Sequence, residues 1–85
     1  MTIFHNERQK TFGGGWSQMV TVDGQQYWLI LKRGKYTGRK YGNKTFNWYA
    51  QIIKDGKIIF QKKTNKELTT KYMTYMITRI IDETT

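Results

Sequence analysis

Eighty-five residues suffice for one small domain and leave no room for a second hydrophobic core. With no cysteine and a single histidine, His5, the chain lacks disulfides and the several ligands that a zinc or iron centre needs, so neither metal nor cofactor is expected. Fifteen Lys and Arg against six Asp and Glu give a net charge of +9, a balance that seeks polyanions, while an aromatic share of 15 % argues against disorder.

Met1 to Phe12 shows no convincing period, and Gly13-Gly14-Gly15 removes side-chain constraint. Residues 1–15 therefore read as a flexible N-terminal arm with a glycine hinge. Trp16 to Val22 reads as a strand, Asp23-Gly24 tolerates the positive φ of a tight hairpin, and Tyr27 to Lys32 returns antiparallel. Pairing about that turn sets Val20 opposite Tyr27, Gln18 opposite Leu29 and Trp16 opposite Leu31, a face expected to be core. Met19, Trp28, Ile30 and Lys32 then share the other face.

Arg33 to Lys44 is glycine-punctuated and reads as an inter-hairpin segment, with Gly34, Gly38 and Gly42 marking bends. A second hairpin runs from Phe46 to Ile53, turns at Asp55-Gly56 and returns from Ile58 to Lys63. Strict alternation pairs Ile52 with Ile59, Ala50 with Gln61 and Trp48 with Lys63 on one face. It pairs Ile53 with Ile58, Gln51 with Phe60 and Tyr49 with Lys62 on the other. Thr64-Asn65-Lys66-Glu67 has the form of a capping box, so a helix is expected to begin there. Its apolar stripe is Leu68, Tyr72, Met76 and Ile80 with Met73 and Ile77 beside them, and fraying is expected after Ile81, where Asp82 and Glu83 oppose the helix dipole. The fold class is therefore α+β: one domain over 16–85, a four-stranded antiparallel sheet of two hairpins with one C-terminal helix packed on one face.

Catalysis has little to work with. Ser17 is the sole serine, His5 the sole histidine, and no carboxylate pair has a spacing suited to acid–base chemistry, so no catalytic residue is assigned. Apolar runs such as Leu29–Leu31 fall far short of the roughly 20 residues of a membrane span, and no secretory h-region opens the chain, so a soluble, cytoplasmic protein is expected.

The strongest signal is the stretch from Gly24 to Lys54, which contains no acid. Lys32, Arg33, Lys35, Arg39, Lys40 and Lys44 can neutralise phosphates, and Tyr36 and Tyr41 can stack or bond phosphate oxygens beside them. With about six such contacts the logarithmic salt slope of duplex binding would be on the order of −5. Trp28, Tyr49 and Phe60, with Lys62 at the margin, are expected on the sheet face that the helix leaves open. There they would meet bases, complete a homodimer interface or pack beneath the N-terminal arm. Nucleic acid is thus the expected partner, DNA favoured over RNA. The alternative is a non-enzymatic regulator or inhibitor that docks its basic surface on an acidic protein, and a small basic chain of this kind fits a phage or mobile-element source.

Trp48-Tyr49-Ala50-Gln51-Ile52, Asp55-Gly56-Lys57, Phe60 and Thr64-Asn65-Lys66-Glu67-Leu68 together resemble the arm-site DNA-binding domains of tyrosine recombinases and plant ethylene-response-type domains. The resemblance implies antiparallel strands on a C-terminal helix, with Arg, Lys and aromatic side chains of the open face reading the major groove. It covers Trp48 to Leu68 and implies no integration chemistry. In element order alone the chain is also similar to single-strand-binding transcription coactivators.

Overall fold

A computed structural model describes residues 1–40 and 43–84, of which 35–37, 39, 40, 43–46 and 84 are described by backbone alone. In chain order the elements are β1 (Ile3–His5), β2 (Gln9–Lys10), β3 (Trp16–Val22), β4 (Gln25–Lys40), β5 (Asn43–Lys54), β6 (Lys57–Thr64) and α1 (Thr70–Thr84). The class is α+β with one antiparallel sheet and a C-terminal helix, but the sheet has six strands rather than four, in the order β1-β3-β4-β5-β6 with β2 also beside β3.

The two extra strands come from the segment expected as an arm. Ile3 lies opposite Val22 and His5 opposite Val20, while Gln9 and Lys10 lie opposite Ser17 and Trp16. Asp23 fixes the first of these strands at both of its polar ends: its amide donates to the Thr2 carbonyl at 2.8 Å and its carboxylate accepts from the Thr2 amide at 2.8 Å. The glycine triplet forms the turn from β2 into β3. A Cβ on Gly15 would overlap the Leu31 carbonyl oxygen, so only glycine lets the turn approach β4 so closely.

Both Asp-Gly turns behave as their sequence predicts. Asp23 and Gly24 adopt φ of 49° and 81°, and Asp55 and Gly56 adopt 51° and 75°, the paired positive values of a type I′ hairpin turn. The first hairpin keeps the expected register, with Trp16 opposite Leu31, Gln18 opposite Leu29 and Val20 opposite Tyr27. Adding Ala50 and Ile52 of β5 gives a largely apolar face, with Gln18 within it, which α1 covers with Met73 and Ile77. Leu29, Leu31, Ile52, Met73 and Ile77 are fully buried, each worth about 1.5–3 kcal/mol relative to exposure.

The second hairpin departs from strict alternation. Ile53 does lie opposite Ile58, but a bulge at Ile59 sets Ile52 opposite Phe60, Gln51 opposite Gln61, Ala50 opposite Lys62 and Tyr49 opposite Lys63. Three consecutive apolar residues cannot alternate, and the extra residue lets both Ile59 and Phe60 pack on the core. Phe60 and Lys62 therefore stand on the helix side, not on the open face.

The helix also starts later than the capping-box pattern implies. Thr69 is its N-cap: the Thr69 hydroxyl accepts from the Tyr72 amide at 3.1 Å and the Thr69 carbonyl from the Met73 amide at 3.1 Å. The Thr64 hydroxyl instead accepts from the Lys66 amide, two residues on, at 3.2 Å, a local turn that brings the chain from β6 to the helix. The helix continues through Asp82 and Glu83, with Arg79 and Glu83 paired at 3.4 Å. Its buried centre is Met73 and Ile77, while Tyr72 and Met76 lie to one side of it, half-buried.

Candidate nucleic-acid interface

With α1 on one side, the other side of the sheet has no helix over it. Alternation along the strands arranges its side chains in transverse rows. Met19, Trp28, Ile53 and Ile58 form an apolar row over β3 to β6. Ser17, Ile30, Gln51 and Gln61 form the next row, and Lys32, Tyr49 and Lys63 the third. None of these residues is acidic. Trp28 is 39 % exposed and Ile58 53 %, and Phe4 of β1, opposite Thr21, adds an aromatic ring that is 62 % exposed.

Local packing orients the two rings of the platform. Trp28 stands between its cross-strand neighbours Met19 and Ile53 and borders a small recess of about 70 Å³ that is also lined by Asn6, Glu7, Gln9 and Ser17. Tyr49 leans across β4 at Gly34, where an added Cβ would strike the phenol ring. A glycine there gives the ring a place to lie against the backbone. The Lys63 ammonium sits 5.8 Å from the Tyr49 ring centroid.

Beyond the third row the sheet narrows. β3 pairs with β4 only from Gln25 to Leu31, and β6 pairs with β5 only from Trp48 to Lys54. From there β4 and β5 continue as a two-stranded ribbon, with Tyr36 opposite Phe46, Gly38 opposite Thr45, Arg39 opposite Lys44 and Lys40 opposite Asn43. From Gly34 to Lys40 it spans roughly 20 Å at about 3.3 Å per residue. The segment expected as a glycine-bent connection is thus mostly strand, and register shifts between Arg33 and Tyr36 and between Tyr36 and Gly38 absorb its irregularity.

The expected site residues divide among three places. Trp28, Lys32 and Tyr49 share the open face, and Lys35, Tyr36, Arg39, Lys40 and Lys44 occupy backbone positions on the ribbon; Tyr41 lies outside the described residues. Arg33 and Lys62 belong to the opposite face. Arg33 lies across from Trp48, with its guanidinium carbon 2.8 Å from where a Cβ on Gly14 would stand. Lys62 donates to the Tyr72 hydroxyl at 3.2 Å and lies 5.3 Å from that ring, so it seals the helix against β6 rather than flanking the platform. Sequence reasoning missed Lys63, the residue that the bulge turns onto the open face in its place. The signal was the run Ile58-Ile59-Phe60, which no unbroken strand can bury on one side.

A larger recess, with two basic residues in its lining, opens where β2 turns into β3. About 480 Å³ in volume, it is lined by Arg8, Lys10, Thr11, Gly14, Gly15, Trp16 and Glu67. The Arg8 guanidinium lies 4.0 Å from the Trp16 ring centroid and donates to the Thr70 hydroxyl at 2.9 and 2.6 Å. Arg8 is thus occupied in joining the first residues of the chain to the start of α1.

No family model matches the chain, and no curated protein or solved structure matches it. Among the described residues no three His, Cys, Asp or Glu side chains gather at a metal-binding distance, and no helix is long and apolar enough to cross a membrane.

Proposed function

We propose that this protein is a small non-enzymatic nucleic-acid-binding module, with DNA favoured over RNA. One observation carries the reading: the acid-free stretch of the chain is the β4–β5 hairpin, and its outer half projects past the helix-backed sheet as a ribbon bearing Lys35, Arg39, Lys40 and Lys44. A two-stranded ribbon fits a duplex groove, and its cations replace condensed counterions along the phosphates. The rival reading, a regulator docked on an acidic protein, draws on the apolar row through Trp28, which a protein partner would cover.

Fluorescence anisotropy with a labelled DNA duplex at two salt concentrations tests the proposal. Binding should weaken steeply with salt. Replacing Arg39 and Lys40 with alanine should flatten the logarithmic slope by about 1.8, at roughly 0.9 per lost phosphate contact. A chain that retains no nucleic acid at low salt is not such a module, and the protein-partner reading then stands alone.

A further inference from the structure

Size separates the two parts of the basic surface. The major groove, about 12 Å wide, admits a two-stranded ribbon. Three steps of about 4.8 Å between neighbouring strands put the outer strands of the four-stranded platform about 14 Å apart, before any side chain is counted. The ribbon fits the groove; the platform does not. The apolar row of Met19, Trp28, Ile53 and Ile58 gains nothing from facing phosphates across water.

Spacing then says what the platform can hold. Trp28 stands opposite Ile53 and Tyr49 opposite Lys32, so their backbone positions lie four residues of β4 apart, about 13 Å at 3.3 Å per residue, and the lean of Tyr49 toward Gly34 carries its ring further from Trp28. Stacked bases are about 3.4 Å apart along a strand of duplex. Rings so far apart therefore take bases that are splayed from one another, and Ile30 and Gln51 lie between them. Charge favours phosphates at one end of the face. Glu7 borders the Trp28 end, whereas Lys32 and Lys63 flank Tyr49 at the end that leads onto the ribbon.

We propose that the uncovered sheet face is a stacking platform for unpaired bases, with Trp28 and Tyr49 as its two ring positions and Lys32 and Lys63 meeting the phosphates, so that the preferred ligand is single-stranded nucleic acid. This rests on the nucleic-acid reading above and deepens it. Lys63, on a long flexible stem, leaves the Tyr49 ring for a phosphate when a base takes its place.

The test compares a labelled single-stranded DNA oligonucleotide with its duplex by anisotropy, using the full chain. Wild-type protein should bind the single strand more tightly. Trp28→Leu and Tyr49→Leu keep an apolar side chain but remove the π face, and each should weaken single-strand binding by about 5-fold to 150-fold while leaving duplex binding within about twofold. Trp28→Phe should restore most of the loss, which separates stacking from misfolding. Equal losses on both ligands, or none on either, would overturn the platform while leaving the ribbon reading intact. Failure of wild-type protein to bind any nucleic acid would overturn both. A dimer in sedimentation equilibrium that Trp28→Leu dissociates, with single-strand affinity unchanged, would assign the face to self-association instead.

Discussion

Gln18 is a polar side chain on the core face of β3, between Trp16 and Val20, and its neighbours explain why. Its amide nitrogen donates to the Asn6 carbonyl at 2.7 Å, and its carbonyl accepts from the Thr70 hydroxyl at 2.7 Å, the same hydroxyl that receives both bonds from Arg8. One residue thus ties the first strand, the sheet and the first turn of the helix together, with His5 and Thr74 adding a contact at 3.1 Å. A buried group left without its partner costs about 1–3 kcal/mol. Gln18→Leu should therefore lower the unfolding free energy by about that amount in urea denaturation. It should also speed hydrogen exchange at the Asn6 amide, which donates to the Met19 carbonyl at 3.0 Å. Unchanged exchange at Asn6 would mean that the N-terminal strands are held by backbone pairing alone.

At the scale of elements, the bulge in β6 decides which residues the platform contains. Because Phe60 packs on the core, Phe60→Ala should cost about 2 kcal/mol or more, whereas Ile58→Ala, at an exposed position before the bulge, should cost less than about 1 kcal/mol. Strict alternation through Ile59 would make the Phe60 substitution the milder of the two, so a pair of denaturation curves distinguishes the registers. The contrast also shows what was legible in the sequence. The first hairpin was readable to the residue, because the two-residue turn at Asp23-Gly24 fixes the register of the strands on either side of it. The second was readable only as far as Ile58, since no periodicity marks which residue of an apolar run will be looped out. The helix was visible in its stripe, but its start was not: the Thr64 hydroxyl closes a local turn with the Lys66 amide, and the cap falls to Thr69, five residues on. The ribbon was masked by its glycines, which suggest bends in isolation and are tolerated in a strand when the partner strand shifts register around them. Of the candidate site, the aromatic positions at 28 and 49 were recoverable from alternation, but the lysine at 63 was not.

Over the whole molecule, charge is sorted along the sheet. The acidic turns at Asp23 and Asp55 lie at one end of the strands and the ribbon at the other, along a body 44 Å long. Lys62 and Lys63 are adjacent in sequence yet stand on opposite faces, one bonded to Tyr72 and the other beside Tyr49. Replacing either with alanine removes the same net charge, so any difference between the two variants measures position rather than total charge. At 0.1 M salt, screening acts over about 10 Å, and a cation held against the helix contributes little to a strand lying on the other side of the sheet. Lys63→Ala should therefore reduce the logarithmic salt slope for single-stranded DNA by about 0.7, the contribution of one phosphate contact. Lys62→Ala should leave that slope unchanged and instead lower stability modestly, through loss of its bond to Tyr72. Parallel slopes for the two variants would mean that the protein attracts nucleic acid by its net charge alone, with no preferred face.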